Sequence, residues 1–157
     1  MLQMKVSGIA LDPFTNTPIV ILKDSTNEKT LPIWIVFMEA SSIAMELEKT
    51  PRIRPITHDL VKNLIEKLGF FVSKIEVTDL RDDTFYASMH LKREAEEYIL
   101  DARPSDAIAI ALRCDSPIFV NEEVIEKSKS IEIDEDKEKL NKLLDDLPEG
   151  DFGKYKM

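Results

Sequence analysis

The sequence of 157 residues contains one cysteine, Cys114, and only four glycines. A single cysteine cannot form a disulfide within the chain, and its position after an apolar run predicts a buried thiol. So few glycines leave no glycine-rich phosphate loop, and neither the C-x-x-C nor the H-x-x-x-H metal spacing occurs. No serine–histidine–aspartate arrangement can be identified from the spacing. The short signatures that mark common metal, nucleotide and hydrolase sites are therefore absent.

Long apolar runs and an excess of positive charge are also missing. The longest apolar runs have the length of a strand, and the first residues lack a basic stretch followed by a long apolar one, so we expect no signal peptide, no membrane association and a cytoplasmic location. The formal net charge is −9, from 21 Lys and Arg against 30 Asp and Glu. Because phosphate contacts need Lys and Arg, this charge argues against tight non-specific binding of nucleic acid. It leaves room for a local basic patch or a bound divalent metal.

Apolar residues make up 43% of the chain, enough for the core of one globular domain. Period-two and period-3.6 patterns predict seven strands, at 4–11, 18–23, 31–36, 71–78, 84–91, 97–102 and 117–120, and helices around 40–47, 57–68, 104–113 and 121–127. We expect a bulge at Gly8, an N-cap at Thr57 and a helix end at Gly69. Leu60, Val61, Leu64, Ile65 and Leu68 should form the buried face of the second helix, and Phe71, Ile75 and Val77 should point inward from the following strand.

The two halves of the chain align at one offset. Asp12 corresponds to Asp79 and Thr17 to Thr84, both 67 positions apart (79 − 12 and 84 − 17). We therefore predict an α+β fold of internally duplicated β-β-β-α units, 4–48 and 71–115, linked by helix 57–68, with a mainly antiparallel sheet or sheets packed against helices. The alternative is a chance match of two ordinary β-meanders. Residues 1–130 would form the domain, and 131–157 an acidic C-terminal helical tail.

Several ordered blocks resemble a known family. They are Leu31–Ile35, Glu39-Ala40, Pro51–Leu60, Asp83–Ala87, Asp101–Ala109, Ser116–Val120 and Leu147–Gly153. Together they make the chain similar to the bifunctional nuclease domain family, and the segment Asp101–Ala109 is the most specific match. The resemblance implies cleavage of phosphodiester bonds in DNA and RNA. It covers nearly the whole chain.

The first candidate cluster is Asp101, Arg103 and Asp106, at a predicted strand-to-helix junction. Phosphodiester cleavage commonly needs carboxylates that hold Mg²⁺ or Mn²⁺, or a histidine base, together with a cation near the phosphate. We therefore predict that Asp101 and Asp106 are catalytic and bind the metal, without any organic cofactor, and that Arg103 binds phosphate. The alternative is a structural Asp–Arg pair that caps the helix.

The second candidate cluster is His58 and Asp59 at the start of a predicted helix, beside Arg52 and Arg54. A helix N-terminus favours an anion, so we predict catalytic roles for His58 and Asp59 and phosphate contacts from the two arginines. Glu39 takes the same place in the first repeat as Asp106 in the second and joins the catalytic set. The alternatives are helix capping by Thr57 and Asp59, a solvated His58, and a simple interaction of each acid with a helix dipole.

The first functional hypothesis is thus a metal-assisted or histidine-assisted nuclease with DNA and RNA as partners. A non-catalytic protein-interaction or regulatory module is the second hypothesis, which the acidic total charge favours. A small-molecule hydrolase or binder, with its cleft between the repeats, is the third. Exposed sheet edges in a duplicated meander also predict self-association, as a homo-oligomer and in the simplest case a dimer.

Overall fold

The computed structural model describes residues 1–130 of the chain; the predicted helical tail 131–157 lies outside the described residues. Along the described part the elements follow in the order β1 (Leu2–Leu11), β2 (Pro18–Asp24), β3 (Thr30–Trp34), α1 (Phe37–Leu47), α2 (Thr57–Lys67), β4 (Phe71–Arg81), β5 (Thr84–Arg93), β6 (Glu96–Ala102), α3 (Pro104–Cys114), β7 (Ile118–Val120) and α4 (Glu122–Ser130).

All seven strands belong to one sheet, in the order β3-β2-β1-β7-β4-β5-β6. Each meander is antiparallel, and the three-residue β7 joins them, antiparallel to β1 and parallel to β4. Ile118 is the joining point, because it pairs with Met4 on one side and with Ile75 on the other. The predicted α+β class and the mainly antiparallel sheet are confirmed.

The two meanders lie on opposite sides of β7 in reversed order. The helices that follow them, Phe37–Leu47 and Pro104–Cys114, also differ by the offset of 67 at both ends (104 − 37 and 114 − 47). The internal duplication itself stays a prediction.

The main core is a continuous cluster of buried side chains from the sheet and the helices, and Ala10, Ile19 and Ile21 form a second, smaller cluster. Helix α3 lies at its centre, with Ala107, Ile108, Ala109 and Ala111 fully buried. Alanine side chains let neighbouring elements approach closely, and α1 and α2 both pack against α3. Arg113 at the last turn of α3 is buried as well. A buried cation needs a carboxylate partner, and this requirement organises the site described below.

Local predictions had mixed outcomes. The bulge near Gly8 is confirmed, because the register of β1 against β2 shifts between Val6 and Gly8. Gly69 follows α2 with φ +83°, as a glycine that ends a helix does. The inward orientation of Phe71 is wrong: this side chain is exposed, because a register shift between Val72 and Lys74 breaks the alternation of β4.

Two expectations for α2 are also wrong. The N-cap is Ile56, because Asp59 Oδ2 accepts the Ile56 N–H at 3.0 Å and the helix begins at Thr57. Ile65 is buried and Val61 is partly buried, whereas Leu60, Leu64 and Leu68 are exposed. The helix is therefore rotated so that its narrow Val61–Ile65 side meets the core. Among residues 1–130, no helix is long and apolar enough to cross a membrane.

Candidate functional site

Arg103 joins the first turns of two helices. Glu39 is the third residue of α1, and its Oε2 accepts the Val36 N–H at 3.1 Å, which caps that helix. Its Oε1 forms an ion pair with Arg103 Nη1. Asp106 is the third residue of α3, and its Oδ2 accepts a hydrogen bond from Arg103 Nε at 2.9 Å. The two acids that correspond by the 67-residue offset therefore meet at one guanidinium group.

The two acids differ from Arg103 in their access to solvent. Glu39 is buried and Asp106 is partly exposed, whereas 68% of the Arg103 side chain is accessible. The hydrogen bond and the charge of Asp106, with the charge of Glu39, raise the pKa of Arg103 above its usual range. Arg103 is therefore a permanently charged, solvent-exposed group that is held by two carboxylates.

His58 connects the same site to α2. Its Nε2 lies 2.9 Å from Asp106 Oδ1, and its Nδ1 lies 2.6 Å from Ser42 Oγ. Because an ionised carboxylate can only accept, His58 donates its Nε2–H to Asp106; in the tautomer with one ring proton, Nδ1 accepts a hydrogen bond from the Ser42 hydroxyl. The structure thus forms a Ser42–His58–Asp106 chain that the residue spacing did not reveal. Ser42 is buried, so its hydroxyl faces the histidine and not the solvent.

Asp59, the neighbour of His58, binds two arginines. Its Oδ2 accepts from Arg52 Nε at 3.0 Å, and its Oδ1 accepts from Arg113 Nε at 2.7 Å. The hydrogen bonds from Arg52, with those from the Ile56 N–H and Arg113, hold the pKa of Asp59 well below its usual range. In turn, Asp59 raises the pKa of Arg52. This carboxylate is ionised throughout the neutral pH range.

Arg113 completes the connection to α1. Only 2% of its side chain is exposed, and its Nη2 donates to the Ser42 carbonyl at 3.1 Å. A single polar network therefore runs through α1, α2 and α3. Its members are Glu39, Arg103, Asp106, His58, Ser42, Arg113, Asp59, Arg52 and Glu46. Four carboxylates face three guanidinium groups, so the network has no excess of positive charge.

The structure does not bring Asp101 and Arg54 into this network. Asp101 pairs with Ser88 in the sheet, whereas its neighbours Leu100 and Ala102 pair with the buried Met89 and Ala87. Asp101 is therefore on the sheet face opposite the core side chains and is exposed. Arg54 is exposed in the loop before α2. The roles predicted for these two residues remain predictions.

The arrangement does not fit a divalent metal held by Asp101 and Asp106. In the part of the chain that the structure describes, no group of three or more His, Cys, Asp or Glu side chains is placed to hold a metal ion. Both Asp106 oxygens are engaged, one by His58 and one by Arg103. Both Glu39 oxygens are engaged as well, and the Arg103 guanidinium occupies the space between the two acids. Mg²⁺ or Mn²⁺ at this site stays an untested prediction.

Sequence reasoning missed Ser42, Glu46 and Arg113. Arg113 carried a usable signal, because it follows a helix segment that is apolar nearly all round, where a cation must be buried and paired. Ser42 gave none, since a serine between apolar helix positions is common.

A surface cleft lies in the first half of the chain, between β1 and the β2–β3 turn. Its lining residues are Gln3, Lys5, Val6, Ser7, Lys23, Asp24, Ser25 and Asn27. None of the predicted site residues lines it. The candidate site is instead the exposed Arg103 above the polar network. The surface cleft lies away from that site, so it does not support the hypothesis of a ligand-binding cleft between the repeats.

The mixed seven-stranded sheet, with three helices that share one polar network, defines an α+β domain. Comparison with known proteins identifies its family. The model of the bifunctional nuclease domain matches residues 20–133. An uncharacterized protein of Mycobacterium tuberculosis is 34% identical over 96% of this chain and 97% of its own length. The chain belongs to the bifunctional nuclease domain family.

Plant relatives carry the name of the family. Bifunctional nuclease 1 of Oryza sativa subsp. japonica is 34% identical over 68% of this chain. Bifunctional nuclease 1 of Arabidopsis thaliana is 33% identical over 73% of it. These matches cover only 33% and 36% of the plant proteins, so each plant protein contains long segments without a counterpart in the match.

Proposed function

We propose that this protein cleaves phosphodiester bonds in DNA and RNA at the site around Arg103. The observation that carries the proposal is the exposed Arg103, held between Glu39 and Asp106 at two helix N-termini, in a member of the bifunctional nuclease domain family. Helix N-termini favour anions, and a guanidinium can bind a phosphate through two parallel hydrogen bonds. Glu39 would position Arg103, which would contact the phosphate.

Asp106 is the best-placed group to move a proton. Its side chain is partly exposed, whereas Nδ1 of His58 is turned toward the buried Ser42. A phosphate that draws Arg103 away would release Asp106 Oδ2 to accept a proton from water or from a ribose 2′-hydroxyl. The hydrogen bond between His58 Nε2 and Oδ1 keeps the carboxylate oriented. In this proposal Asp59 and Arg52 are structural.

The test is cleavage of labelled single-stranded RNA and DNA in the presence of Mg²⁺, Mn²⁺ or EDTA. We expect Arg103→Met to lower the rate by about 100-fold, the typical effect of removing one group that stabilises transition-state charge. Arg81→Met is the matched control, since Arg81 is exposed, pairs with Asp79 and lies outside the network, and it should retain nearly full activity. Equal cleavage by wild type and Arg103→Met would contradict the proposal. The EDTA arm decides whether a metal participates.

A non-catalytic interaction module is the second candidate. It is favoured by the balance of the network, in which the carboxylates and guanidinium groups already satisfy one another. The acidic net charge of −9 points the same way. Absence of cleavage under all metal conditions, by protein whose fold is intact, would support this candidate over the nuclease.

A further inference from the structure

Helix α2 carries a stripe of exposed leucines. Leu60, Leu64 and Leu68 follow at intervals of four residues, and they are 60%, 57% and 57% exposed. Residues at this spacing lie above one another on the same side of a helix. A continuous apolar stripe on a surface helix is typical of an interface with another helix and not of a solvated face.

The stripe continues onto the sheet edge. Arg93 Nη1 donates to the Leu68 carbonyl at 3.0 Å, and the Phe70 and Tyr98 rings meet at 5.7 Å, so the end of α2 lies against β5 and β6. Tyr98 and Leu100 pair with Leu91 and Met89, which places them on the core side of the sheet. They are nevertheless 53% and 43% exposed, because β6 is one of the two edge strands of the sheet.

The apolar area of this surface matches what a contact with a second copy of the chain requires. Taking about 200 Å² for a fully exposed large side chain, the three leucines with Tyr98 and Leu100 present roughly 500 Å² of apolar surface. A standard interface buries about 800 Å² on each partner, of which somewhat more than half is apolar. The leucine stripe and its extension therefore supply the apolar content of one such interface.

The pattern along α2 is complementary to itself. If two copies of α2 pack antiparallel about a two-fold axis at Leu64, Leu60 faces the partner's Leu68. Lys62 and Glu66, whose charged ends are 4.0 Å apart, are each two residues from Leu64 and therefore lie on the other side of the helix. No charge of this pair interrupts the stripe, so two copies match apolar with apolar side chains along its length.

We propose that two copies of this chain form a two-fold symmetric dimer through α2, centred on Leu64 and flanked by Tyr98 and Leu100. A symmetric interface repeats every contact, which explains why one helix supplies both members of each matched pair. An antiparallel β6–β6 contact centred on Ile99 would place Glu97 opposite the partner's Asp101, and the repulsion of like charges disfavours that register. This inference does not depend on the proposed nuclease activity.

The first test is the molar mass of the full chain, measured by sedimentation at micromolar concentration. We expect a dimer for the wild type and a monomer for Leu64→Glu, whose fold is checked by circular dichroism. Phe14→Glu is the control, because Phe14 is equally exposed but lies in the β1–β2 turn, and it should remain dimeric. A monomeric wild type, or a Leu64→Glu variant that stays dimeric, would overturn the proposal.

Further variants test the packing itself. Leu60→Glu should weaken the dimer, because Leu60 faces the partner's Leu68 across the axis, whereas Lys62→Glu should leave it intact, because Lys62 lies on the other side of the helix. Leu64→Cys in a Cys114→Ser background should form a disulfide-linked dimer under mild oxidation, and Phe14→Cys in the same background should not. A Leu60→Glu variant that stays dimeric, together with equal cross-linking of both cysteines, would show that the copies do not meet at α2.

Discussion

The buried Arg113 depends on the carboxylate of Asp59, which offers a sharp test of the network. Arg113 Nε lies 2.7 Å from Asp59 Oδ1, and only 2% of the arginine side chain is exposed. Asp59→Asn keeps the shape of the side chain and removes its charge. It leaves a buried guanidinium without this carboxylate, and it also weakens the contact with Arg52. We expect the free energy of unfolding to fall by about 3 kcal/mol, the lower end of the range for breaking a buried ion pair.

The assay is urea unfolding at neutral pH, followed by circular dichroism. With a denaturant slope of about 2 kcal/mol per M, the midpoint should fall by about 1.5 M. Asp101→Asn is the matched control, because Asp101 is exposed and outside the network, and its effect should stay within about 0.5 kcal/mol. A change of less than about 1 kcal/mol for Asp59→Asn would refute the reasoning that Arg113 requires this partner.

The same pair gives a pH dependence with a defined sign. The pKa of Asp59 in the folded state lies below the ordinary value of 3.8, chiefly because of the hydrogen bonds from Arg52. The stabilisation from its charge is therefore present above the unfolded-state pKa and is lost as the pH falls through the folded-state pKa. The difference in stability between wild type and Asp59→Asn should be constant near neutral pH and should shrink below about pH 4. A difference that grows in acid would contradict the assignment.

Two other predictions concern the backbone and the thiol. Gly69 has φ +83°, and an added Cβ would lie 3.3 Å from Arg93 Cδ. Gly69→Ala should therefore strain the backbone and destabilise the protein by about 1 to 2 kcal/mol. The thermal midpoint measures this effect, and an unchanged midpoint would contradict the predicted backbone strain. Burial raises the pKa of Cys114, so its alkylation by iodoacetamide at pH 8 should be slower than that of a small thiol and should accelerate in urea; fast alkylation of the folded protein would show an accessible thiolate.

The sequence was informative wherever a pattern is local. Alternating apolar residues placed the strands of both meanders, and Pro104 marked the first residue of α3. The joining strand β7 was predicted as an element, but its position between β1 and β4 depends on long-range pairing that no local pattern encodes. The register shift next to Val72 and the rotation of α2 follow from packing in the same way, which is why Phe71 and Leu64 were assigned to the wrong side.

The candidate site was predictable in part for the same reason. His58, Asp106 and Arg103 were singled out as polar groups at helix starts, and the structure brings them into contact. Their partners could not be inferred, because Ser42 and Arg113 enter the network only when three helices pack together. Asp101 is near Arg103 in sequence, yet strand alternation directs it to the other face of the sheet. Proximity along the chain therefore does not place Asp101 in the shared network, and its predicted role stays a prediction.

The most direct test of the nuclease account compares Asp106→Asn with Asp101→Asn in the cleavage of labelled RNA and DNA. Both changes replace a carboxylate by an amide within the segment that best resembles the family, but only Asp106 contacts His58 and Arg103. We predict that Asp106→Asn loses cleavage while Asp101→Asn retains it. Loss of cleavage in Asp101→Asn with full activity in Asp106→Asn would place the chemistry on the opposite face of the sheet and contradict the account.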